Sequence, residues 1–108
     1  MTNSKFENVE DQKLEVLAQA TLRRTGATQA AALRDSTGRT YVARNISSIS
    51  LTLDAIEAVF TVAMASQIEA IEAVVVVGDG SINLKPVREH TPGALVWVVK
   101  QNSEIESL

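Results

Sequence analysis

Two short runs with almost no polar residue, Glu72-Ala73-Val74-Val75-Val76-Val77 and Ala94-Leu95-Val96-Trp97-Val98-Val99, constrain this chain more than anything else in it. Both are too short to cross a bilayer and too rich in β-branched residues to favour helix, so each is expected to be a strand covered on both faces. Residues 81–93 between them look irregular but are long enough for a crossover, which predicts that the two strands lie parallel in the interior of one sheet. A sheet buried on both faces needs helices above and below it. The rest of the sequence must supply them.

Leu14, Leu17, Ala18 and Leu22 share one face at helical spacing, with Glu10 and Asp11 early and Arg23-Arg24 late, as the helix dipole prefers. Gly26 supplies the stop, so a helix is predicted over 9–24. Arg23-Arg24 reads as a charge complement to the helix end rather than a nucleic-acid patch. Residues 29–34 and 39–44 flank Asp35-Ser36-Thr37-Gly38, the pattern of a β-hairpin. The first arm is rich in alanine and fits a strand only where a helix packs closely over it. Residues 45–50 form a polar link, after which Thr52 is expected to cap a helix running to about residue 66, with Asp54 in its first turn. Leu53, Ile56, Val59, Phe60, Val62, Ala63 and Met64 surround most of that helix, so it is expected to be shared with a second copy of the chain in a dimer or tetramer. Residues 1–8 are expected to be disordered, 9–100 to form one domain and 101–108 to be a loose tail.

At 108 residues the chain can bury a real core, about 65% of the surface its unfolded form exposes. The absence of cysteine excludes disulfides, thiolate metal sites and a cysteine nucleophile. A net charge of −3 with 45% hydrophobic residues favours neither disorder nor a nucleic-acid partner. With no signal peptide or membrane span in view, the cytosol is the expected compartment. Gly78-Asp79-Gly80 lacks the third glycine and following helix of a dinucleotide site and reads as a turn. Ser47, Ser48 and Ser50 have no Asp-His pair to activate them, since His90 is the sole histidine.

Ala30-Ala31-Ala32-Leu33, the turn Asp35-Ser36-Thr37-Gly38, the second strand through Tyr41 to Asn45, and Ser47-Ser48-Ile49-Ser50-Leu51-Thr52-Leu53-Asp54-Ala55 together resemble the cytidine deaminase family. The resemblance is close over about half the chain. It implies a three-layer α/β/α sandwich with a mixed sheet, built from an N-terminal helix, a β-hairpin, a central helix and two further parallel strands. Deaminases of this type hold zinc through a His or Cys at the helix start and a P-C-x-x-C pair, with a Glu two residues after the first ligand moving protons. Here the first-ligand position falls on Asp54 and the Glu position on Ile56. Pro86-Val87-Arg88-Glu89-His90 stands in for the cysteine motif, with Val87 and His90 at the cysteine positions.

Isoleucine cannot carry a proton and valine cannot bind a metal, so no catalytic residue and no cofactor are expected. Asp54, Glu57 and His90 are the remaining metal candidates. Against that reading, Asp54 would complement the helix N-terminus, Glu57 would pair with an arginine and His90 would lie in a surface loop. Their spacing matches no established metal motif, and this second reading is preferred. Asn45 resembles the asparagine that contacts the nucleoside ribose in the family. Ser47 takes the place of the neighbouring glutamate, and Ala27 falls near the family's aromatic residue. Asn45, Ser47 and Asp54 are therefore the candidate ligand-binding residues, with Asn45 as a turn former the simpler alternative. The leading expectation is an inactive deaminase-like protein serving as an oligomeric binding or interaction module, with an unidentified protein partner as a further possibility and no membrane contact. The alternatives are a diverged nucleoside or base deaminase-type hydrolase with an altered metal site, and a nucleoside-type small-molecule sensor.

Overall fold

The structure is a computed structural model that describes residues 6–108. Helix α1 (Val9–Thr25) is capped by the Asn8 side chain, which accepts from the Glu10 amide, and it ends at Gly26 in the left-handed region. Strands β1 (Gln29–Asp35) and β2 (Thr40–Arg44) form the antiparallel hairpin. Asp35 fixes the turn by accepting from the Thr37 amide, the Thr37 hydroxyl and the Arg39 amide. After β3 (Ile46–Ser47) and β4 (Thr52–Leu53) come α2 (Ala55–Ala65), β5 (Ile71–Gly78), α3 (Lys85–His90), β6 (Leu95–Val99) and β7 (Ile105–Ser107). The five-stranded sheet has the order β2-β1-β5-β6-β7, with β5 and β6 parallel and every other pair antiparallel. Both predicted interior strands are interior.

Alternation along the strands sorts the core into two halves. Ala30, Ala32, Ala73, Val75, Val77 and Val99 face α1 with Leu14 and Ala18. Ala31, Leu33, Val74, Val76 and Val96 face the opposite side with Ile56, Val59, Ala63 and Val87 from α2 and α3. The result is the expected α/β/α sandwich. The alanines of β1 belong where they stand because helices cover both sides of it and every residue of the strand is buried.

Several expectations are corrected. The tail after Lys100 is not loose: β7 pairs with β6, and this edge strand makes β6 interior. Asn8 caps α1 and Phe6 lies edge-on against Trp97 at 5.6 Å, while residues 1–5 of the expected disordered segment lie outside the described residues. Thr52 does not cap α2, because it pairs with Ser47 in a separate β3–β4 hairpin that takes up part of the supposed polar link. The cap is Asp54. The irregular crossover contains α3, whose first turn holds Pro86, tolerated there because a helix start has no partner for its missing N–H. Leu17 is exposed, and Asp11 takes the buried face of α1 instead. Helix α2 also buries more than one small sheet was expected to cover: Phe60 and Met64 are half-buried, and Val62 is the largest apolar side chain it leaves exposed.

Candidate functional site

The start of β1, the β3–β4 hairpin, the N-terminus of α2 and the loop after β5 meet around a cleft of about 360 Å3. Asn45, Ser47 and Asp54 all line it, joined by Glu57, Gln29 and Asp79. The three ligand-binding candidates therefore come together. Asn45 does more than form a turn: its Oδ1 accepts from the Gln29 amide at 3.2 Å, and its own amide donates to the Gln29 carbonyl at 3.1 Å. That reciprocal pair holds the end of β2 against the start of β1 and fixes one wall of the cleft.

Asp54 and Glu57 build a capping box. Asp54 Oδ1 accepts from the Glu57 amide at 2.8 Å, and Glu57 Oε1 accepts from the Asp54 amide at 2.9 Å. Asn83 takes the other two oxygens, its amide donating to Asp54 Oδ2 at 2.6 Å and its side chain to Glu57 Oε2 at 3.0 Å. Glu57 thus pairs with Asn83 and not with an arginine. The Asn83 hydrogen bond, and next the Asp54 amide, hold the Glu57 carboxyl below its ordinary pKa of 4.5 against the effect of burial. A depressed carboxylate contributes stability that is present above its unfolded pKa and lost as pH falls through the folded one. Urea unfolding between pH 7 and 3 should therefore show stability declining below about pH 4.5, and Glu57→Gln should lower the neutral-pH midpoint and flatten that acid limb, so that the two proteins converge near pH 3. An equally steep acid limb in the variant would assign the loss to other groups.

The metal candidates do not assemble. His90 is not in a surface loop but ends α3, half-buried, with Nδ1 at 2.8 Å from the Thr91 hydroxyl and its ring edge-on to Phe60 at 5.9 Å. It lines a different, shallow groove with Phe60 and Lys85. No cluster of three or more His, Cys, Asp or Glu suited to a metal occurs among the described residues. Ile56 and Val87 are fully buried and belong to one apolar cluster. The positions that the sequence resemblance assigns to the acid/base and a zinc ligand are packed hydrocarbon, while both oxygens of Asp54 are committed to backbone amides. The residues present do not fit a zinc ion.

Gln29, Asn83 and Asp79 were not singled out from the sequence. Gln29 left a trace there, as the one uncharged polar residue at the head of an alanine run buried on both faces. Its side chain bridges α2 and the loop after β5, accepting from the Ala55 amide at 2.7 Å.

Comparison with solved structures finds the same fold in cytidine deaminases. The enzyme from Burkholderia pseudomallei superposes with a TM-score of 0.76 at 17% identity, over 100% of this chain and 92% of that one. The Bacillus anthracis enzyme gives 0.70 at 14% identity, covering 94% and 83%, and the Mycobacterium leprae enzyme 0.66 at 16%, covering 93% and 94%. No curated protein matches by sequence. The family described as Cytidine deaminase-like matches residues 7–103, and with that span the chain belongs to the cytidine deaminase-like family.

Proposed function

We propose that this protein is a catalytically inert member of its family, working in the cytosol as an oligomeric binding or interaction module. The observation that carries this reading is the burial of Ile56 and Val87 in one apolar cluster at the positions where zinc chemistry needs polar groups. A water cannot be activated by hydrocarbon, and Asp54 already serves as the helix cap. Association through α2 draws support from Val62, Thr61 and Ala65, an exposed strip without charge. The β3–β4 hairpin adds Ile46, Ile49 and Leu51, with Ile49 wholly in solvent.

Sedimentation equilibrium at micromolar concentration tests the oligomer. A mass of two or four chains is expected, and a mass near 11.6 kDa would overturn the association. Metal analysis after zinc addition and dialysis should find far less than one zinc per chain, and about one per chain would contradict the inert site.

The second reading, a small-molecule sensor of nucleoside type, is favoured by the convergence of Asn45, Ser47 and Asp54 on one cleft. Saturable heat on titration with a nucleoside, without turnover, would select it. No helix among the described residues is long and apolar enough to cross a membrane.

A further inference from the structure

Gln29 is 3% exposed, and its carboxamide sits at the inner end of the cleft between groups that match it atom by atom. On one side the Ala55 amide, the first N–H of α2, donates to Oε1 at 2.7 Å. On the other, Nε2 faces the carbonyls of Asp79, Gly80 and Ser81 at 3.4, 3.2 and 3.4 Å. The orientation is fixed chemically: a flipped amide would set two donors against each other at Ala55 and an oxygen against three carbonyls. One donor facing three acceptors across this gap is a seat for a primary carboxamide. The chain closes it with its own side chain.

We propose that Gln29 is a built-in plug in a carboxamide-binding seat, which a free primary carboxamide can occupy once the plug is removed. In the native protein the seat is filled, so a ligand entering the cleft meets only the outer groups, among them Asn45, Ser47 and Asp79. The proposal does not depend on whether the protein is inert. It concerns what the backbone at residues 55 and 79–81 recognises.

Gln29→Ala removes Cγ, Cδ, Oε1 and Nε2, the same heavy atoms as acetamide, so acetamide is the probe. The variant leaves the Ala55 amide without its partner in a buried, polar void. Its Tm should fall by roughly 5–20 °C. Acetamide at 0.1 M should then restore about 5 °C in the variant if it binds near 10 mM, and shift the wild type and Gln29→Met hardly at all, since both fill the void. Equal acetamide effects on all three proteins, or none on Gln29→Ala, would overturn the proposal.

If Gln29→Ala does not fold, the wild type still decides. The Gln29 side-chain NH2 protons, enclosed by three carbonyls, should exchange with water at least tenfold more slowly than those of an exposed glutamine. Exchange at the rate of an exposed glutamine would show that the carboxamide is not seated.

Discussion

Replacing Asp11 with alanine should cost about 3–5 kcal/mol, because it strands a buried guanidinium. Arg34 is 4% exposed and Asp11 2%. Arg34 Nη2 donates to Asp11 Oδ1 at 2.8 Å, Nε donates to Glu72, and Nη1 has no partner among the described residues. Burial pulls the Arg34 pKa down, but the hydrogen bonds to Glu72 and Asp11 and their charges outweigh it and leave it raised. The cation is therefore retained inside, held by two carboxylates of unequal kind. Glu72 is half in solvent and reaches Arg34 because the β1–β5 register shifts between Arg34 and Asp35, leaving Glu72 as the extra residue of a bulge.

Glu72→Ala should consequently cost only about 1 kcal/mol, the scale of a pair that water partly screens. The double variant Asp11→Leu/Arg34→Met should recover most of the Asp11→Ala loss, since replacing a buried pair with hydrocarbon of similar volume is often neutral. Chemical denaturation of the four proteins checks the pattern. A cost for Asp11→Ala no larger than that for Glu72→Ala would show that the ion pair does not govern the α1–β1 contact.

Gly78→Ala should be comparably damaging for a different reason. Gly78 has φ +96°, and a Cβ built there would stand 2.2 Å from the Thr28 carbonyl oxygen and 2.9 Å from the Gln29 Cα. Both obstacles are backbone, so no rotamer change can yield. The same Thr28 oxygen accepts from the Asp79 amide at 2.8 Å, and separating the strands to make room would break that bond beside the cleft. Strain and overpacking together should cost about 3–5 kcal/mol. Gly38 also has positive φ, +92°, but nothing lies within 4 Å of its Cβ position. Gly38→Ala should thus cost only the strain, about 1–2 kcal/mol. Equal urea midpoints for the two variants would remove the close approach at Gly78 from the account.

What could be read from the sequence was local or strongly patterned. The valine runs declared buried strands by composition alone, and the Asp35-to-Gly38 turn carries its own chemistry in adjacent residues. Strand β7 carried no such pattern, because Ile105-Glu106-Ser107 is held at the sheet edge through backbone pairing with β6, which any side chains permit. The cap of α2 was misplaced by two residues, although Asp54 and Glu57 stand at capping-box spacing, because Thr52 is also an accepted cap residue in isolation. Only its pairing with Ser47 removes it from the helix.

The floor of the site was hidden for a related reason. Gln29 reaches partners 26 and 50–52 positions away, and Asp11 meets Arg34 across 23. Such contacts exist only after the sheet has formed. By contrast, the residues on which the proposed loss of zinc chemistry rests, Ile56 and Val87, were legible at once, because no neighbour can give a hydrocarbon side chain a lone pair or a proton.

The most direct test of the central claim is turnover. Protein at high concentration, supplied with zinc and incubated at length with cytidine or deoxycytidine, should yield no uridine or deoxyuridine above a protein-free control. The burial of Ile56 and Val87 in the core beside the Asp54 cap predicts this result. Product that accumulates with protein concentration and disappears in Asp54→Asn would contradict it, and would mean that this site activates water without the groups such chemistry requires.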